Sequence, residues 1–481
     1  MRLHVIFRYD GYVLLLNAAF LFISAGISAL NGDAALIPLA YSALLVVLFG
    51  LFPLLFVPPI KDISNNEGLA IVVSGWLLSC LVGTIPYIIW GGEFSFTNAW
   101  FESVSGYTTT GSSILNNIEA LPAGLLFWRN ATHWIGGMGI IVFVLSVLPS
   151  MGAASRILYR SEMSPVAMEN FQYRTKRALR ILLSVYVGLT VAETLFLLLF
   201  GMNLFDAVTH AFATIATGGF SPKNASIAYY HSVPIEITII VFMILSGTHF
   251  GLLYMAFSAH PKPLWKSPVV RYYVIALGVG TLFSAINIHG SHYQSWWQSL
   301  RYAAFQIVSI GTSTGFATTN TAIWPPLSQL LLLFFMMQCA CAGSTSGGIK
   351  VDRIVIFGKA LVRRIRQFQH PKAILPLRMG KKKIGEDAVA MSVLYIAVYL
   401  GILFVSTFIL TAFGVDIISA FSASATTMGG VGPGLGTVGS TSNFAALPAL
   451  GKLTLTLTML LGRLEIFPLI IFFIPKTWRR A

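Results

Sequence analysis

Tyr107-Thr-Thr-Thr-Gly111-Ser-Ser, Ile215-Ala-Thr-Gly-Gly219-Phe-Ser, Gly311-Thr-Ser-Thr-Gly315-Phe-Ala and Met428-Gly-Gly-Val-Gly432-Pro-Gly are four variants of one loop, and their reading decides the fold. Setting Gly111, Gly219, Gly315 and Gly432 in register gives spacings of 108, 96 and 117 residues. An alanine then stands 12 positions upstream in every copy: Ala99, Ala207, Ala303 and Ala420. A small residue there lets a short helix pack closely within its own unit. Each loop follows a semi-apolar piece, at roughly 97–107, 205–215, 299–309 and 416–427. These pieces are too short to cross a bilayer.

Outward from the loops, the chain is dominated by longer apolar runs. Spans are expected near 10–30, 35–58, 68–90, 125–148, 180–200, 233–257, 269–286, 327–345, 388–412 and 449–474. The composition agrees: 56% of the 481 residues are hydrophobic and only 10% charged. A soluble domain carries about a quarter charged residues because its surface faces water. The reading is an all-α polytopic membrane protein. Residues 1–66 form an amino-terminal two-helix hairpin. Four tandem span–pore helix–span units follow, at 67–155, 156–260, 261–370 and 371–481, in pseudo-four-fold arrangement. The first apolar run is too long for a cleavable signal, and Asn31-Gly32-Asp33 turns it back without a small-residue cleavage pattern.

The net charge of +14 does not indicate nucleic acid, because the basic residues are sorted by side. With the amino terminus inside, the inner segments hold every Lys and Arg except Arg129, Lys223, Arg301, Lys452 and Arg463. This is the positive-inside pattern, and it places both termini in the cytoplasm. The three cysteines, Cys80, Cys339 and Cys341, lie in apolar stretches without zinc-site spacing and read as packing residues. No Walker or dinucleotide motif is present, and no hydrolase or metal-ligand set is legible.

Irregular backbone survives at membrane depth only where it lines a cavity that satisfies its amides and carbonyls. Four like-oriented glycine loops therefore predict such a cavity, with backbone oxygens replacing the hydration shell of a monovalent cation. Thr110, Gly111, Thr217, Gly218, Gly219, Thr314, Gly315, Val431 and Gly432 are the expected ion-binding residues. The hydroxyls of Thr109, Thr110, Thr217 and Thr314 either brace the loops or add an oxygen. Each short helix should end at the cavity, directing about half a negative charge toward it. The first and fourth loops contain no Asp or Glu, which disfavours a divalent site.

Below the third loop, Gly343-Ser344-Thr345-Ser346-Gly347-Gly348-Ile349-Lys350 interrupts a span. It is either a movable obstruction of the pore or a static kink. Arg463 lies within the last span, where a charge faces the bundle interior. It either faces the ion path or pairs with a carboxylate, and Glu465 is a poor partner because residues two apart on a helix diverge. Glu193, Glu236, His133 and His249 are the other intramembrane polar candidates, read chiefly as structural.

The four loops, with Ala342–Lys350, Val431–Gly436 and Gly462–Pro468, make the chain resemble the membrane subunits of bacterial Trk-type potassium uptake systems, in the Trk/Ktr/HKT superfamily. The resemblance implies that the transported ion is K+, filtered at the four glycines, and that Gly343 to Gly348 form an intramembrane gating loop. It implies that Arg463 is the pore arginine of the last helix. It also implies a homodimer in the bacterial inner membrane, regulated by a cytosolic ring of nucleotide-binding subunits docking on 156–180 and 350–383. No organic cofactor and no enzymatic activity are expected. A cation-coupled symporter is the alternative, since Glu193 or Glu236 could carry a proton.

Overall fold

The computed structural model describes residues 1–59, 63–139, 142, 175–258, 262–338, 340–372, 375–380 and 382–478. Lys61, Arg156, Arg160, Arg174, Cys339, Lys381, Arg479 and Arg480 lie outside these residues. So do the end of the expected span at 125–148 and most of the expected docking segment 156–180. Among the described residues the regular elements are helices, apart from a minimal antiparallel pair, Arg378–Met379 with Lys382–Lys383, and two isolated bridges.

Among the described residues, six helices are long and apolar enough to cross a membrane: Leu3–Asn31, Leu36–Phe56, Asn65–Trp90, Ala178–Leu199, Pro268–Ile288 and Glu386–Ala412. Their outward faces carry large apolar side chains, such as Leu48, Phe52, Leu55 and Phe56 on the second helix. Such surfaces suit lipid and not water. Local chemistry sets the ends. Gly32 takes the left-handed conformation that closes the first helix. Ser64 and Glu67 form a capping box that opens the third.

The expected spans at 233–257 and 449–474 are not continuous helices. Val233–Ser246 meets Phe250–Phe257 at 110°, and Ala449–Arg463 meets Phe467–Phe473 at 116°. In the first break the His249 side chain accepts from the backbone N–H of Gly251 at 3.0 Å, which starts a new helix. In the second, Glu465 and Ile466 both have φ of 62°. Pro468 follows, and its ring would clash with the carbonyl four residues back in a continuous helix. The described part of the expected span at 125–148 is the helix Ala123–Gly137, and the expected span at 327–345 is the shorter helix Pro326–Met337. Among the described residues, six of the expected spans are thus long helices and two are bent pairs.

Four further short helices, Phe96–Tyr107, Leu204–Ile215, Trp296–Gly311 and Ile417–Gly429, cover the semi-apolar pieces. Ser95, Asn203 and Asp416 cap three of them with side-chain acceptors. The Ser419 N–H that Asp416 accepts holds its carboxyl below the usual carboxylate range. Ala99, Ala207, Ala303 and Ala420 are fully buried. The interior that surrounds the glycine loops is built from these helices and the broken spans.

Candidate functional site

All four short helices end the same way. The residue two before each aligned glycine is left-handed: Thr109 (φ 54°), Thr217 (54°), Ser313 (59°) and Gly430 (65°). The next N–H bonds back five residues, as Thr110 to Ser105, Gly218 to Ala213, Thr314 to Ser309 and Val431 to Thr426, at 2.8–2.9 Å. This is the Schellman closure. A threonine or serine at the left-handed position costs about 1–2 kcal/mol, so the surrounding structure imposes it. The glycines themselves follow at φ of 81°, 79°, 82° and 101°.

The loops meet in cyclic order. A β-carbon on Gly111 would lie 2.1 Å from the Gly218 carbonyl oxygen, and one on Gly219 would lie 2.0 Å from that of Thr314. One on Gly315 would lie 1.9 Å from the Val431 oxygen, and one on Gly432 would lie 2.8 Å from that of Thr110. Each glycine is therefore pressed by the carbonyl preceding the next unit's glycine, and the fourth closes on the first. Segments beyond the loops are joined in the same order. Ile118 N–H donates to Asn224, Ala228 N–H to the Ala317 carbonyl, Thr321 N–H to Ser440, and Phe444 N–H to the Ser113 carbonyl. The threonine hydroxyls bond nearby: Thr110 with Thr108 at 2.8 Å, Thr314 with Thr312 at 2.8 Å, and Thr217 to the Ala216 carbonyl.

Side chains brace this ring from outside. Arg129 donates to Glu102 at 2.6 Å and to the Ser221 carbonyl at 3.1 Å, with its guanidinium 3.4 Å from the Phe220 ring centroid. Glu102 also accepts from Ser113 and from the Ile114 N–H. The His133 ring stacks on Phe220, and its Nε2 accepts from the Phe220 N–H at 3.2 Å. Its Nδ1 therefore carries the proton and donates to the Gly106 carbonyl at 2.6 Å. Neutral His133 ties the first short helix to the second loop. Sequence reasoning flagged His133 as structural but missed Glu102. A lone carboxylate in a semi-apolar helix, with Arg129 isolated in the next span, was the available signal.

All five basic residues outside the inner segments have specific partners. Lys223 stands 3.7 Å from Asp206. Arg301 and Glu236 form a bidentate pair at 2.6 and 2.7 Å. Lys452 donates to Asn98 and to the Ala445 carbonyl, both at 2.8 Å. Arg463 donates to the carbonyls of Thr345 (2.5 Å), Gly136 (2.5 Å) and Gly137 (2.9 Å). Glu465 pairs instead with Arg353. Arg463 thus joins the carboxyl end of Ala123–Gly137 to the Gly343–Lys350 segment through main-chain carbonyls, a partner type not weighed from the sequence.

The Gly343–Lys350 segment lies against the loops on the side opposite the short helices' amino ends. The Thr345 hydroxyl donates to the Ile215 carbonyl at 2.9 Å and lies 3.3 Å from that of Thr217. Gly347 N–H donates to Ser313 at 3.2 Å, and a β-carbon there would stand 2.6 Å from the Gly429 oxygen. Ser344 and Ser346 hydroxyls pair at 2.9 Å, and Lys350 donates to the Ser346 carbonyl. Gly343 accepts from the Phe250 N–H at 3.1 Å and leaves no room for a side chain beside His249. Gly348 is left-handed, with φ of 65°.

Glu193 is fully buried and faces Thr214, whose hydroxyl donates instead to the His210 carbonyl at 2.8 Å. The Glu193 carboxyl oxygens have no hydrogen bond of good geometry. Among the described residues, no three His, Cys, Asp or Glu side chains are placed to hold a metal.

The family described as TrkH, cation transport protein, matches residues 53–480. The chain is 37% identical over 422 residues to the Trk system potassium uptake protein TrkH of Salmonella typhimurium, covering 87% of each. It is 34% identical to the Escherichia coli K12 protein of the same name over 486 residues and the full length of both. The crystal structure of the potassium transporter TrkH from Vibrio parahaemolyticus superposes with a TM-score of 0.89 at 33% identity, again over all of both chains.

Proposed function

The chain belongs to the TrkH family of cation transport proteins, and from that premise we propose that it carries potassium inward through a central pore filtered by the four glycine loops. The observation that carries this reading is the cyclic contact of each glycine with the carbonyl before the next. Four units related this way form a pseudo-four-fold ring, with Thr110, Gly218, Thr314 and Val431 oxygens facing one axis. Such a ring replaces the water around a bare monovalent ion. Four helix carboxyl ends, each worth about half a negative charge, favour a cation at its centre without any acidic side chain.

Gly343–Lys350 is the gate. It touches the second, third and fourth loops, and Arg463 fastens it to the first unit. A segment so placed obstructs the path, and moving it aside opens the path. The charge bias sets both termini in the cytoplasm of a bacterial inner membrane. The protein works as a homodimer with one pore per protomer. A cytosolic nucleotide-binding ring docks on the basic segments 156–180 and 350–383.

The decisive experiment changes Gly111 to Ser in full-length protein reconstituted into vesicles. Rubidium and sodium permeabilities are then compared by reversal potential. The variant should lose preference for rubidium; an unaltered ratio overturns the filter assignment. A second reading, potassium moving with protons, is favoured by Glu193 alone, a buried carboxyl lacking a good hydrogen bond. It requires a reversal potential that follows the pH gradient, which the Glu193→Gln variant should abolish.

A further inference from the structure

Tyr107 is the last residue of the first short helix and directly precedes Thr108-Thr109-Thr110. Its hydroxyl donates to the Asn17 side-chain oxygen at 2.5 Å. Asn17 lies on the first helix of the amino-terminal hairpin, 90 residues away in sequence and fully buried. The Asn17 amide cannot turn freely. Its nitrogen donates to the Ser79 hydroxyl at 3.0 Å and to the Val13 carbonyl at 2.9 Å, which fixes the oxygen toward Tyr107.

The tyrosine itself is clamped on every side. Its ring fills a notch left by Gly83, where a β-carbon would stand 2.6 Å from the ring. Trp128 packs edge-on at 6.4 Å. Its carbonyl presses on Gly136, where a β-carbon would approach to 1.8 Å. The matching positions in the other units are Ile215, Gly311 and Met428, which have no hydroxyl. Among the four loops, only the first is held at this point by a hydrogen bond to a helix outside the repeats.

We propose that Asn17 is a positioning residue for ion selectivity: through Tyr107 it fixes the lateral position of Thr108–Thr110, and with it one quarter of the carbonyl ring. This rests on the assignment of the glycine loops as the filter. A buried hydrogen bond between side chains in their rotamer wells restrains a backbone more sharply than apolar contact alone. The hairpin is on this account a wall of the filter as well as an addition to the bundle.

The test uses full-length protein in vesicles with Tyr107→Phe, Asn17→Ala, the double variant and Gly111→Ser, reading sodium-to-rubidium permeability ratios. Tyr107→Phe removes one oxygen and no volume. It should raise the ratio about three- to tenfold, the worth of one buried hydrogen bond. Asn17→Ala should match it, and the double variant should exceed neither. A bond that merely holds the fold together would lower the yield of monodisperse protein and leave the ratio alone. If Gly111→Ser shifts the ratio while Tyr107→Phe does not, the positioning role is overturned and the filter stands. Additive effects in the double variant also overturn it. If neither Gly111→Ser nor Tyr107→Phe shifts the ratio, the filter assignment has failed first. Should Asn17→Ala not fold, Tyr107→Phe decides alone.

Discussion

Arg463 donates to the Thr345 carbonyl at 2.5 Å and, from the other arm of its guanidinium, to the carbonyls of Gly136 and Gly137. One side chain thus ties the end of Ala123–Gly137 in the first unit to the third unit's interrupted segment, and the planar fork is what allows it to serve both. Charge-assisted hydrogen bonds of this kind contribute about 1.5–3 kcal/mol each.

Replacing Arg463 with Ala should release the segment and raise rubidium flux through the isolated protein by about tenfold, the effect of roughly 1.4 kcal/mol in an opening equilibrium. Arg463→Lys keeps the charge but reaches only one side, so it should fall between the two. A Lys variant as quiet as the native protein would assign the residue an electrostatic role and not a tethering one. Tracer uptake into vesicles measures all three.

Deleting 344–348 should raise basal conductance and lengthen open times in single-channel recordings. Thr345→Val, which removes the bond to the Ile215 carbonyl, should do the same to a smaller degree. Unchanged gating in both variants would leave the segment as a static kink.

Gly219→Ala sets a β-carbon 2.0 Å from the Thr314 oxygen at a φ of 79°. Both costs fall on backbone that has nowhere to move, so selective uptake should drop by more than about tenfold. Gly188 has open space around it and sits within a long helix. Gly188→Ala should therefore leave uptake intact and raise stability by about 0.5–1 kcal/mol.

Arg129 and Glu102 form a wholly buried pair. Changing either alone, as Arg129→Met or Glu102→Gln, should cost about 3–5 kcal/mol, because the partner is left desolvated and unpaired. The double variant should recover part of that loss, measured by thermal unfolding in detergent.

Much of the architecture could be read from the chain because it is written in composition. Apolar length gave the spans, and Gly111, Gly219, Gly315 and Gly432 stood out by repetition. What stayed hidden was backbone behaviour that side chains do not announce. Thr109, Thr217 and Ser313 are left-handed, a conformation threonine and serine rarely take unless tertiary packing forces it. The breaks at Gly247–His249 and Leu464–Ile466 lie inside runs that stay apolar when averaged over the length of a span, despite Thr248, His249, Arg463 and Glu465. Pro468 marked the second break, but a proline near the end of a span is commonly tolerated by neighbouring helices. The partners of Arg463 were unreadable for a simpler reason. They are carbonyls, which every residue has, and they lie 118 and more than 300 residues away.

The contact of each glycine with its neighbour's oxygen constrains how such a chain can change over generations. If the four units arose by duplication, they were free to drift apart in length, in connecting segments and even in the residues beside the loops, as Val431-Gly432-Pro433 has done. A substitution at any one of the four glycines strains its own loop and also presses on the adjoining quarter, so no copy can compensate from within. Heredity therefore treats these positions as one locus distributed over more than 300 residues of chain.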